Sequence, residues 1–130
     1  MKPIVLKAGT NGSITVTDFL YYESEARAGC LRNTDLTFSV QTPSGAGEAL
    51  RTLDIKEFRR FVKDLETLSE GTEASLRDPD HGVFLRFEPG ENGSVTAIGE
   101  TEGKLPFRLS GITAYDLSVF IYRLNLLIPS

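Results

Sequence analysis

The stretch Leu53-Asp54-Ile55-Lys56-Glu57-Phe58-Arg59-Arg60-Phe61-Val62-Lys63-Asp64-Leu65-Glu66-Thr67-Leu68 decides the fold. Its apolar residues Leu53, Phe58, Phe61, Val62, Leu65 and Leu68 return at a constant offset as Ile112, Leu117, Phe120, Ile121, Leu124 and Leu127. In both places they gather on one side of a 3.6-residue spiral, the mark of an amphipathic helix that turns one face to a core. Asp54 with Glu57 three residues later has the form of a capping box, and Thr113 with Asp116 repeats it. Gly71 supplies a stop for the first helix. The helices are therefore expected over Asp54 to Ser69 and Thr113 to Ile128.

Strand-like sequence precedes each helix. Pro3 to Ala8 reads as a strand, Gly9 to Gly12 as a turn, and Ser13 to Tyr22 sets Ile14, Val16 and Phe19 among hydroxyl residues, a hairpin signal. Glu23 to Asn33 has no periodicity and reads as a surface loop. Leu36, Phe38 and Val40 resume period two, Thr42 to Gly47 is a turn, and Ala49 to Leu53 leads into the first helix. The second half offers Ala74 to Leu76, a turn at Asp78-Pro79-Asp80-His81-Gly82, and a strand at Val83, Leu85 and Phe87. A turn at Glu91-Asn92-Gly93 and strands over Val95 to Gly99 and Leu105 to Leu109 follow, with Gly103-Lys104 turning between them. Asn11-Gly12-Ser13-Ile14-Thr15-Val16 also resembles Asn92-Gly93-Ser94-Val95-Thr96-Ala97, at a different offset from the helices. The expectation is an α+β domain spanning residues 1–130, a mostly antiparallel sheet with two helices on one face. It has the form of a strands-then-helix pseudo-repeat whose first half carries extra residues within Glu23 to Asn33.

With 130 residues, 40% of them hydrophobic, the chain can bury roughly two thirds of its unfolded surface and needs neither disulfide nor metal to fold. Cys30 is the only cysteine, which excludes an internal disulfide and the paired-cysteine zinc spacings and points to the cytosol. The first residues lack the apolar core of a signal peptide, and no run approaches the ~18 apolar residues of a membrane span. A cytoplasmic protein with no membrane partner is expected. The net charge of −4, with no basic run, disfavours nucleic acid and suits a basic partner. Both Asn-Gly-Ser triplets match the glycosylation sequon, but without an export signal they read as turn chemistry.

Reactive groups are sparse. Asp78, Asp80 and His81 lie close in sequence and could suggest a metal or acid–base site, yet an Asp-Pro-Asp run before His-Gly is also what a tight turn requires. No serine sits in a nucleophile elbow. Arg27 and Arg32 flank Cys30 and could lower its pKa, although an idle cysteine is commoner. Ser44-Gly45-Ala46-Gly47 lacks the Gly-Lys-Ser/Thr ending of a phosphate loop. No catalytic residue, metal or cofactor is assigned. Two surfaces remain. Glu88, Glu91, Glu100 and Glu102 cluster in sequence about one hairpin and could form an acidic patch. The last helix carries a second apolar stripe, Tyr115, Val119, Tyr122 and Leu126, opposite its core face, where the first helix has Lys56, Arg60, Lys63 and Thr67. A helix apolar on both sides is either sandwiched within its domain or docked on another chain.

Several stretches carry a family resemblance. Leu53-Asp54-Ile55-Lys56-Glu57-Phe58 leads into the central helix, His81-Gly82-Val83-Phe84-Leu85-Arg86-Phe87 precedes a Gly-rich hairpin, and Phe107-Arg108-Leu109 leads to the terminal helix. With the acidic composition, this layout resembles small bacterial immunity proteins of the WapI-like group and related uncharacterised actinobacterial domains. The chain departs from them in having no tryptophan. The resemblance implies a non-enzymatic immunity-like protein that neutralises a cognate toxin by binding. The outer face of the last helix is the first candidate surface for such a protein partner or for a homodimer, and the acidic hairpin residues are the second. A structural or regulatory subunit of a phage or mobile-element system is the alternative.

Overall fold

The computed structural model describes residues 1–68, 71–102 and 106–130. The expected sheet resolves into two four-stranded antiparallel meanders. The first comprises β1 (Ile4–Lys7), β2 (Ser13–Tyr21), β3 (Thr34–Thr42) and β4 (Gly45–Leu53), paired in chain order. A short helix α1 (Glu23–Arg27) separates β2 from β3, and α2 (Ile55–Leu65) follows β4. The second comprises β5 (Ala74–Asp78), β6 (Gly82–Pro89), β7 (Val95–Glu100) and β8 (Pro106–Ile112), followed by α3 (Ala114–Asn125). The class is α+β, and both halves have the order four strands, then helix. Sequence patterning alone does not separate the sheets, because every strand keeps the same period two whichever neighbour it pairs with.

The expected helix starts are the observed ones. Asp54 Oδ1 accepts from Lys56 N at 3.1 Å and Thr113 Oγ1 accepts from Asp116 N at 3.1 Å. Glu57 does not close a capping box; its carboxylate pairs with Arg60. Both helices stop short of the expected ends. Ser69, the expected end of the first, and Gly103, Lys104 and Leu105, the expected turn and strand start, lie outside the described residues. The expected loop over Glu23 to Asn33 contains α1, which buries no residue and so left no apolar period to read.

One core fills the space between the sheets and helices. Each helix packs against the first strand of the other half, α2 on β5 and α3 on β1. Phe58 of α2 meets Phe19 of β2 at 4.8 Å between ring centres, while Phe87 of β6 lies 5.8 Å from Phe61 of α2 and 6.3 Å from Phe120 of α3. Phe38 stacks on Phe84 at 5.9 Å and joins sheet to sheet. Phe19 is out of step with Ile14 and Val16. A bulge between Val16 and Asp18 absorbs one residue and returns Phe19 to the inner face, opposite Leu36.

The two Asn-Gly-Ser turns are not equivalent in the fold. The first joins β1 to β2 and the second joins β6 to β7, so their likeness reflects turn chemistry. Gly12 has φ +140°, and a Cβ there would lie 1.9 Å from the Gln41 carbonyl oxygen. Asn11 Nδ2 donates to the Ser110 carbonyl at 2.8 Å, tying this turn to the far half.

Candidate functional site

α3 turns Leu117, Phe120 and Leu124 into the core. On its other side Tyr115 is 75% exposed, Tyr122 66% and Leu126 69%, with Val119 half-buried among them. Of the two readings of this stripe, burial within the domain is therefore removed: no described element of the chain covers it. The corresponding face of α2 carries exposed Lys56, Arg60 and Lys63, as water requires of an uncovered helix face. The difference is one of side-chain chemistry on two helices in equivalent places.

Beside that stripe an apolar groove of about 390 Å³ runs between the end of α2, the β6–β7 turn and α3. Leu65, Leu68, Val95, Leu117 and Ile121 line it, together with Ala114 and Ser118 of α3.

The four glutamates do not form one patch. Glu88 faces outward on β6, 3.6 Å from Arg86 Nε and 3.8 Å from Arg108 Nη2. Glu91 sits in the exposed 3-10 turn after β6. Glu100 and Glu102 lie at the opposite end of β7, where they wall a cleft of about 660 Å³ with Leu50, Arg51, His81, Val83, Phe84 and Thr101. Period two and a shared hairpin gave the proximity in sequence; antiparallel pairing carries the two ends of the hairpin apart.

In the cleft, Arg51 lies over the Phe84 ring with its guanidinium carbon 5.5 Å from the ring centre, a cation–π geometry. Its Nε is 3.7 Å from Asp78 Oδ2, its Nη1 donates to the Leu50 carbonyl at 3.2 Å, and Glu102 Oε1 is 4.0 Å away. Glu102 Oε1 also accepts from Leu50 N at 3.2 Å. Arg51 is thus neutralised by carboxylates, and the cleft presents glutamates between two exposed apolar lips, Leu50 and Val83. Sequence reasoning missed Arg51, which joins this site only through the contact between β4 and the β5–β6 turn.

Asp78, Asp80 and His81 act as a turn. Asp78, with a side chain 2% exposed, accepts from Asp80 N at 2.8 Å and His81 N at 2.5 Å, the Asx geometry that holds a tight reversal. His81 Nδ1 lies 3.1 Å from the same carboxylate, and Asp80 pairs with Arg32. Among the described residues, no group of three His, Cys, Asp or Glu converges as a metal site would require. Cys30 is exposed, but Arg27 is paired with Glu23 and Arg32 with Asp80. A hydrogen bond to Glu25 pushes its thiol pKa up, away from the thiolate a nucleophile needs. Ser44-Gly45-Ala46-Gly47 belongs to the β3–β4 hairpin, with Thr42 Oγ1 donating to the Gly45 carbonyl at 3.1 Å.

No helix among the described residues is long and apolar enough to cross a membrane. Comparison with family models, curated proteins and solved structures finds no match to this chain.

Proposed function

We propose that the chain is a non-enzymatic protein-binding module of the immunity type, which neutralises a cognate toxin by binding it in the cytoplasm. The uncovered stripe Tyr115, Val119, Tyr122 and Leu126 carries this reading. Leaving two tyrosines and a leucine in water on one helix face forgoes about 1.5–3 kcal/mol for each large side chain that a partner could bury, and tyrosine is enriched where proteins meet. The acid-walled cleft at Glu100 and Glu102 supports the same reading, since it suits a basic partner segment whose apolar neighbours rest on Leu50 and Val83. The resemblance to WapI-like immunity proteins supplies the partner class.

The test is affinity capture from the source cells by wild type, Tyr122→Glu and the double variant Glu100→Lys, Glu102→Lys, with mass spectrometry of what is retained. A toxin held by wild type and lost from either variant, with unchanged circular dichroism, is the expected result. Equal retention by all three would remove both surfaces from the reading.

A further inference from the structure

Resting on the reading of the α3 face as a protein-contact surface, we propose that its occupant is a second copy of this chain, joined through an antiparallel α3–α3 pair. Tyr115, Val119, Tyr122 and Leu126 follow one another at steps of four, three and four residues, the spacing of a heptad seam. The seam is complementary to itself when reversed. With a twofold axis between Val119 and Tyr122, Tyr115 of one copy meets Leu126 of the other and Val119 meets Tyr122, so each ring is set against an aliphatic side chain.

Charge agrees with the same register. At 100° per residue, Asp116 and Arg123 lie on one flank of the stripe, and Ser118 and Asn125 on the other. A perpendicular twofold axis brings like flanks together, placing Asp116 of each copy beside Arg123 of the other, within one turn along the axis. Neither residue takes part in an ion pair among the described residues, so both charges are available across the axis. Lys56, Arg60 and Lys63 on α2 would repel their own copies in any such pairing, which singles out α3. Four side chains from each copy make a small interface, under about 1,200 Å² in total, the size class of weak, reversible association. The pairing leaves the acid-walled cleft open to a toxin, which would reach the α3 face in competition with the second copy.

Sedimentation of the full chain from ~5 to ~500 μM tests this. The weight-average mass should climb from one chain towards two. Tyr122→Glu should hold the mass at one chain, and Asp116→Arg should weaken association roughly tenfold. Adding Arg123→Asp to Asp116→Arg should restore association, with circular dichroism showing α3 intact in each variant. A single-chain mass throughout, a dimer indifferent to Tyr122→Glu, or a dimer not restored by the double exchange would overturn the pairing. The binding-module reading would survive any of these, because it stands or falls on toxin capture by wild type, which is measured separately.

Discussion

Asn33 shows how much one buried amide can hold. Its Nδ2 donates to the Cys30 carbonyl at 2.9 Å and to Asp54 Oδ1 at 3.2 Å, while its Oδ1 accepts from Ile55 N at 2.8 Å and Thr34 Oγ1 at 2.9 Å. Two of these four bonds, to Asp54 and Ile55, tie the segment after α1 to the β4–α2 junction, and the two to Cys30 and Thr34 hold the amide in place locally. Asn33→Ala leaves the Ile55 N–H without its acceptor in a buried place, so a loss of about 2–3 kcal/mol is expected. For a domain of this size that is a melting temperature lower by roughly 10 °C, measurable by calorimetry. Asn33→Asp keeps the acceptor but loses the donor and buries a charge, and it should not rescue. Asn33 was invisible in the sequence because its junction partners, Asp54 and Ile55, are distant along the chain and it has no motif; only the burial of a polar side chain reveals it.

The helices were legible because their signals are local. Apolar spacing chooses the face and one side-chain oxygen chooses the start, both written within a few residues of each other. The two caps nevertheless differ in what they hold. Thr113 bonds only the first turn of α3, and Thr113→Ala should cost about 1 kcal/mol in urea unfolding. Asp54 caps α2 and also accepts from Asn33, so Asp54→Ala should cost about twice as much. Equal losses would mean that the Asn33 contact adds nothing. The outer stripe of α3 was legible for the same local reason. The cleft was not, since Arg51, His81 and Glu100 come from three strands and turns whose pairing is non-local. The acidic residues were grouped by sequence, and the length of the antiparallel hairpin sets its two ends apart.

At the scale of the whole molecule, the β5–β6 turn is where the two halves grip each other by charge. Asp78 holds Arg51 of β4, and Asp80 holds Arg32 from the segment between α1 and β3. The hydrogen bond from Arg32 keeps the Asp80 carboxyl below its ordinary value, outweighing the opposing effect of desolvation. A carboxyl depressed in the folded state binds its proton more readily once unfolded. Its contribution is therefore complete above the ordinary carboxylate value, near ~4, and disappears as pH falls through the lowered one. Arg32 is raised by the same bond, so its side of the pair persists until strongly alkaline pH. Both side chains are about half exposed, so the effect is modest and shrinks with salt. Wild type should unfold at higher urea than Asp80→Asn at about pH 7, with the two midpoints converging as pH is lowered towards ~2. A gap that stays constant across that range would show that the pair does not couple the halves. Arg51, withdrawn from solvent on Phe84 and paired with both Asp78 and Glu102, would then carry the electrostatic part of the junction.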